Sequence, residues 1–457
     1  MTGKKLVLIA LLAAIALTAL YNVARVHGTP PEEARPSCPN CNIILFSMDT
    51  LRADHVGALG YARNTTPRMD ELARSGLLFR NAFSTSSWTV PSHTSMMTGL
   101  YPSEHGYTVS TLKELSLNGK TTLSEELLRN GYATAAITGG YPGPFFGPTR
   151  GFSYYYQGSA KEVHLSSYRQ RAEEFIASNQ DRPFFLFLHA YDAHAPYLPF
   201  EEYRGLYASA VNESFDGIYC NSQYGAAMEV YHPSPDYSIT QYDAEIRAAD
   251  EEFGRVVDTV RALGIENRTL YVFVSDHGEE FLEHGMCGHW QLHSETNRVP
   301  LVIAGPGIHP AQINGTASHV DLFPTILEYL GLSIPPQSRG QSLLYPPNES
   351  RRVYTERIIR FTDGDWAQLS GVVTPQSRSI IEYNSTSQTY SLTGYYEDGP
   401  LERDNLAPTL SEARREQLLA EALDWQAGLP PASLPGALAD EFDDNQQQLR
   451  ELGYLNG

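Results

Sequence analysis

Three runs of strand length and unbroken apolar character, Asn42–Met48 (NIILFSM), Phe184–His189 (FFLFLH) and Leu270–Ser275 (LYVFVS), constrain this chain most tightly. A strand without polar alternation has both faces covered, which is the situation of a parallel sheet layered between helices. Helix patterns with their own start and stop residues recur between the runs. Thr66-Pro67 opens a helix through Ser75 that Gly76 ends, and Thr122 with Glu125 forms a capping box for a helix to Asn130. Further helices are predicted at Tyr168–Ser178, Ile239–Leu263 and Asp321–Leu330, with strands at Leu77–Phe83, Ala133–Thr138 and Pro300–Ala304. Alternation on this scale predicts an α/β fold with a mostly parallel central sheet flanked by helices, whose ligands gather at the carboxyl ends of the strands.

After about Gly340 the pattern changes to short β-like pieces, Ser379–Tyr383 and Thr389–Leu392, ahead of an acidic helix near Leu410–Gln426. The predicted organisation is a catalytic region over 42–344 and a small α+β subdomain with a tail over 345–457. Before the core, Lys4-Lys5 precede an apolar run from Leu6 to Leu20 broken only by Thr18. That run is short for a bilayer crossing of ~20 residues unless Tyr21–Val26 extend it, so residues 1–27 read as a signal peptide or an amino-terminal anchor. Residues 28–41 form a Pro-rich linker. The chain is expected to be exported, to the outer face of the cytoplasmic membrane, the periplasm or the extracellular space, where Cys38, Cys41, Cys220 and Cys287 can pair. Cys38-Pro-Asn-Cys41 sits before a strand rather than opening a helix, so a local bridge or two idle thiols fits it better than a redox motif.

Lys and Arg total 33 against 53 Asp and Glu, a formal charge of -20. This disfavours the phosphate-backbone attraction on which nucleic-acid binders depend. An anionic small substrate stays compatible with it, because a bound cation or local positive groups reverse the field inside a cleft.

Three separated segments carry chemistry. Asp49 directly follows the first apolar strand, at the sheet's ligand edge, where a hard divalent cation takes oxygen donors; a turn-forming Asp is the plain alternative. Thr89 precedes Pro91 in a short predicted helix ending at Gly99, which puts its hydroxyl at a helix start that favours anions; the alternative is a simple cap. Asp276 and His277 follow the strand Leu270–Ser275, and the turn there frees both to face one cation, although Asp-His-Gly is also a common turn. Arg52, Asp54 and His55 read as a supporting salt-bridge group. The aromatic run Phe152–Tyr156 reads as pocket lining or surface packing.

Taken in order, Asp49-Thr50-Leu51-Arg52, Thr89-Val90-Pro91-Ser92-His93 with Met97-Thr98-Gly99, Tyr101-Pro102, His105-Gly106, His194-Ala195-Pro196-Tyr197, Ser275-Asp276-His277-Gly278-Glu279, Arg298-Val299-Pro300 and Val320-Asp321-Leu322-Phe323-Pro324-Thr325 resemble the sulfatase branch of the alkaline phosphatase superfamily. The likeness runs from about Asn42 to Leu344, and Leu449–Tyr454 looks like the tail of many members. The resemblance implies an alkaline-phosphatase/sulfatase-like α/β core and one divalent cation (Zn, Mn, Mg or Ca) held by Asp49, Asp276 and His277, with Thr89 as the nucleophile on it. It implies that His194 contacts the transferred group or protonates the leaving oxygen. His93 and His289 stand where members keep an arginine and a lysine for the substrate anion.

The departures bear on the reaction. Sulfatases of the usual kind convert a Cys or Ser to formylglycine at the position of Thr89, and threonine cannot become that aldehyde. His93 replaces the arginine of their motif, Thr50 replaces a second acidic ligand, and the segment around Ile137-Thr138-Gly139-Gly140 lacks the usual Lys-x-His. A threonine nucleophile is what phosphoryl and phosphodiester-group transferases of this superfamily use, through a phospho-threonine intermediate. The expected function is therefore a metal-dependent phosphodiesterase or phosphotransferase acting on a small-molecule, lipid head-group or glycan ester. The alternatives are a sulfuric ester hydrolase without formylglycine and a non-catalytic anion- or glycan-binding homologue.

Overall fold

The computed structural model describes residues 36–107, 117, 119–139, 149–158, 163–207, 218–219, 231–232, 235–360, 366–374, 376–384, 386–397 and 404–427. Segment 1–27, residues 28–35 of the linker, Gly140, Cys220 and the tail motif Leu449–Tyr454 lie outside them. The chain divides at Ser37 into the unit Met1–Ser37, almost wholly outside the described residues, and the unit Cys38–Gly457, to which all that follows belongs. Among the described residues, no helix is long and apolar enough to cross a membrane.

Eight strands form the central sheet: β1 (Asn42–Met48), β2 (Leu77–Phe83), β3 (Ala133–Thr138), β4 (Tyr154–Gln157), β5 (Phe184–Ala190), β6 (Thr269–Ser275), β7 (Arg298–Ala304) and β8 (Ala311–Ser318). Their order is β8-β2-β7-β6-β1-β5-β3-β4. The three apolar runs lie side by side at the centre, with β1 parallel to β5 and to β6. Every residue of β1, β5 and β6 is buried, as two-sided coverage demands.

Among the described residues, seven longer helices surround this sheet and the one that follows it: α1 (Pro67–Ser75), α2 (Thr89–Thr98), α3 (Leu123–Arg129), α4 (Arg169–Ser178), α5 (Pro235–Ala262), α6 (Leu322–Tyr329) and α7 (Glu412–Ala427). Alternate residues of β1 feed opposite cores. Ile44, Phe46 and Met48 pack with Ile246 and Phe253 of α5, while Ile43 and Leu45 pack with Phe323, Ile326 and Leu327 of α6. Phe46 sits between Phe253 and Phe273 at ring distances of 4.5 and 5.1 Å. Each such fully buried side chain contributes ~1.5–3 kcal/mol. The capping box at Thr122 forms as expected, with Glu125 N–H donating to Thr122 Oγ1 at 3.1 Å and Thr122 N–H donating to Glu125 at 3.0 Å.

Two strands depart from the expectation. β7 runs antiparallel to both β2 and β6, and it begins at Arg298 rather than Pro300. β8 has no apolar run, because it pairs only with β2 at the sheet edge and its outer residues face solvent. The aromatic run Phe152–Tyr156 supplies edge strand β4, with Tyr154 39% exposed and Phe152 stacked on Phe185 at 5.7 Å, so it packs the sheet edge. Cys38 and Cys41 form a local disulfide at the entry to β1, and Cys287 is also disulfide-bonded.

The carboxy-terminal part is a four-stranded antiparallel sheet of β9 (Val353–Arg360), β10 (Trp366–Val373), β11 (Ser377–Asn384) and β12 (Thr389–Glu397) in sequence order, with α7 against it. Asp321, completely buried just after β8, fastens the lead-in to this sheet. It accepts Arg351 Nη1 and Nη2, both at 2.7 Å, and the N–H groups of Ser318 and Gln341 at 2.8 and 2.9 Å. Breaking a buried charge pair from one side costs more than the pair contributes, because the partner is left uncompensated. Asp321→Asn is expected to lower stability by ~3 kcal/mol, read as the urea midpoint of the full chain; a change below ~1 kcal/mol would count against this fastening.

Candidate active site

The register of the central strands assembles the site. Met48 stands beside both Ala190 and Ser275, so the residues that follow β1, β5 and β6 emerge together at the carboxyl edge. Asp49 and Asp276 thereby meet, both completely buried. Thr50 adopts the left-handed conformation, φ 52°, which is costly for a β-branched residue and is held by three hydrogen bonds. Its N–H donates to Asp276 Oδ1 at 3.2 Å, its hydroxyl donates to the Ala193 carbonyl at 2.7 Å, and its own carbonyl accepts Tyr242 Oη–H at 2.6 Å. Thr50 thus orients Asp276 through its backbone, and its hydroxyl is spent on the loop after β5.

Thr89 is the first residue of α2 and Trp88 is the cap, with no side-chain capping bond. The alternative reading of Thr89 as a helix cap therefore fails. Its Oγ1 lies instead 3.2 Å from His277 Nε2. His277 Nδ1 lies 2.9 Å from the Gly278 carbonyl, which can only accept, so the proton sits on Nδ1 and Nε2 presents a lone pair. Asp49 Oδ1 and Asp276 Oδ2 stand 3.6 and 3.5 Å from that same nitrogen. Thr89 Oγ1, His277 Nε2, Asp49 Oδ1 and Asp276 Oδ2 thus converge on one space.

Electrostatics shows what the arrangement lacks. Burial, together with the neighbouring charges of Asp276 and Glu279, pushes the Asp49 carboxyl well above its usual range. Asp276 is raised to about 6, chiefly by burial and against the pull of His189, the Thr89 hydroxyl and the His277 and Thr50 amides. Burial and the proximity of His289 hold His277 neutral. Asp49 Oδ1 is buried and makes no hydrogen bond. The ligand atoms of Asp49, Asp276 and His277 all lie within 4.8 Å of one another, so this donor set fits a divalent cation.

The remaining expected residues divide in two. His194 and His289 line the same side, with ring distances of 5.5 Å between them and 4.4 Å from His289 to His277. His194 Nδ1 donates to the Ala195 carbonyl at 2.7 Å, which leaves Nε2 free of a proton in the neutral ring, and burial lowers its pKa to about 4. His289 Nδ1 lies 3.4 Å from Glu279 Oε1. His93 is different. It is completely enclosed, with Nε2 3.0 Å from Ser47 Oγ and 4.0 Å from Asp276 Oδ2, and its ring stands edge-on to His189 at 4.6 Å. Burial, with the neighbouring His189, His319 and His277, holds its pKa well below the usual range, and its ring is enclosed. Arg52 pairs with Asp54 at 3.0 and 2.8 Å and with Glu283 at 2.5 Å, and His55 pairs with Asp243 at 2.7 Å, as the supporting reading expected.

Two site residues carry no sequence motif. His189, inside β5, places Nε2 3.3 Å from Asp49 Oδ2. Arg357, on β9 of the carboxy-terminal sheet, is 7% exposed and donates through Nη1 to the Ser87 carbonyl at 2.7 Å. Its charge is felt at His277 and His289, whose pKa values it helps to depress. The site therefore has its cation from a distant segment, whereas position 93 has none.

Comparison with known proteins identifies the family and the fold. The chain matches the sulfatase family over residues 41–332. It is 24% identical to the multifunctional alkaline phosphatase superfamily protein PehA of Trinickia caryophylli, over 66% of this chain and 76% of that one. A phosphonate monoester hydrolase of Agrobacterium radiobacter superposes with a TM-score of 0.68 at 20% identity, covering 85% of this chain and 96% of that one. A structure solved with its substrate D-glucosamine-2-N,6-O-disulfate superposes with a TM-score of 0.68 at 18% identity, covering 90% and 98%. With the family matched over most of the α/β core and over all four residues that converge at the sheet edge, the chain belongs to the sulfatase family, as an ester hydrolase of the alkaline phosphatase superfamily.

Proposed function

We propose that this protein is a metal-dependent phosphodiesterase or phosphotransferase that works through a covalent phospho-Thr89 intermediate. The observation that carries the reading is Thr89 Oγ1, 3.2 Å from His277 Nε2 and at the start of α2, on a side chain that cannot become an aldehyde. Asp49, Asp276, His277 and the Thr89 oxygen would hold one divalent cation. Such an ion neutralises the paired carboxylates, favours the deprotonated Thr89 oxygen and offsets charge on the transferred group.

The rest of the chemistry belongs to the chain. Thr89 Oγ, its proton released to solvent water, forms the new O–P bond as the bond from phosphorus to the leaving oxygen breaks in line. His194, protonated once an anion lies beside it, gives its proton to that oxygen. The free N–H groups at the start of α2 and the Arg357 guanidinium favour the substrate anion. Water or a second alcohol then attacks phosphorus and releases Thr89. A sulfate carried on Thr89 would lack the internal collapse that an aldehyde hydrate provides, which favours phosphorus as the transferred centre. His189 acts by holding Asp49. The basic, apolar start of the sequence supports an exported enzyme that meets lipid head groups, glycan esters or scavenged esters.

Thr89→Ala is expected to abolish turnover of phosphodiesters while metal content, read by elemental analysis, stays near that of the parent. Mass spectrometry of the parent after a phosphodiester pulse should show phosphate on Thr89. Robust release of sulfate from sulfate esters without any Thr89 adduct would overturn the phosphorus reading. Arg357→Ala should reduce kcat/KM for anionic esters roughly tenfold to a hundredfold, the worth of a charge-assisted contact, with Arg357→Lys intermediate. Equal kcat/KM in the three proteins would remove Arg357 from substrate binding.

A further inference from the structure

We propose that His164, Asp192 and Glu245 form a second divalent-cation site, separate from the Asp49/Asp276/His277 group, which fastens the loop that carries His194. The three come from different parts of the fold. His164 precedes the turn Leu165–Ser167, Asp192 follows β5, and Glu245 lies within α5.

Spacing is the first argument. His164 Nδ1 stands 3.4 Å from Glu245 Oε2 and 3.6 Å from Asp192 Oδ1, and the three ligand atoms lie within 4.8 Å of one another. A charge-assisted hydrogen bond closes to ~2.7–2.9 Å, as His55 and Asp243 do in this molecule at 2.7 Å. Donors on a tetrahedral cation with bonds of ~2.0–2.1 Å instead stand ~3.4 Å apart. The Asp49, Asp276 and His277 set shows the same composition and the same openness, at 3.6 and 3.5 Å.

Burial is the second. Asp192 is 4% exposed and Glu245 1%, so two carboxylates share an interior site. Their outward demands are already met: Asp192 accepts the Leu165 N–H at 3.0 and 3.2 Å, and Glu245 Oε1 accepts the Leu198 N–H at 3.0 Å. Glu245 Oε2 and His164 Nδ1 are left without a hydrogen bond, aimed at the shared space. Oxygen lone pairs in such a place need a positive charge. The His164 side chain, 16% exposed with its ring 4.4 Å from Phe200, leaves a route for exchange and for a water ligand.

The position indicates a role in support. Asp192 lies two residues before His194, and Glu245 holds the backbone at Leu198. A cation here ties both ends of the His194 loop to α5, without touching the reacting atoms.

The test is zinc stoichiometry of the full-length chain, stripped with chelator and dialysed against Zn2+. The parent should bind two equivalents. Glu245→Gln, which keeps an acceptor for Leu198, should bind one, as should His164→Gln, whose partly exposed side chain makes misfolding a poor explanation. Asp49→Asn should also bind one, and Asp49→Asn combined with Glu245→Gln none. One equivalent in the parent, lost with Asp49→Asn and retained with Glu245→Gln and His164→Gln, overturns the proposal and leaves the proposed active site standing; the trio is then an ion pair on a protonated His164. A second equivalent that survives both Glu245→Gln and His164→Gln overturns it as well.

Discussion

The register that sets Met48 beside Ser275 is the constraint on which the site depends. A slip of one residue would turn Asp49 or Asp276 toward the opposite face of the sheet and separate the two carboxylates. Register is secured in turn by two-sided burial, since Ile44, Phe46 and Met48 fill one core and Ile43 and Leu45 the other. The cost of burying the carboxylates, and for Asp49 of placing it beside Asp276 and Glu279 as well, is visible in the raised carboxyl pKa values. In the proposed reading a cation offsets that cost, which makes folding energy and catalytic power two aspects of one arrangement.

A polar layer beneath the carboxylates keeps them directed. Thr50 in its left-handed conformation donates its N–H to Asp276, His189 Nε2 lies 3.3 Å from Asp49 Oδ2, and His93 pairs with Ser47 beside them. The carboxy-terminal sheet adds the missing positive charge through Arg357, and the Asp321–Arg351 pair anchors the segment that leads into that sheet. A remote strand thereby takes part in the electrostatics of the catalytic edge.

Much of the core was legible in the chain because its cues are local. Strands β1, β2, β3 and β5, helix α1 and the capped helix α3 fall where periodicity, proline, glycine and the capping box place them. Edge strands β4 and β8 were not legible, since a strand with one neighbour and one solvent-facing side needs no apolar run. Nor was the direction of β7, because an antiparallel neighbour presents the same side chains as a parallel one.

By itself, the sequence determined the family, the central strands and the four residues Asp49, Thr89, Asp276 and His277, since each of these rests on short stretches with a fixed order. Only the tertiary structure decided which histidines gather beside His277 and which are enclosed among the strands. It separated His194 and His289 from the enclosed His93, and it brought Arg357 and the His164–Asp192–Glu245 group together from distant segments. The reason is physical: a side chain's type is written in the chain, whereas its partners and its burial are set by how the layers pack.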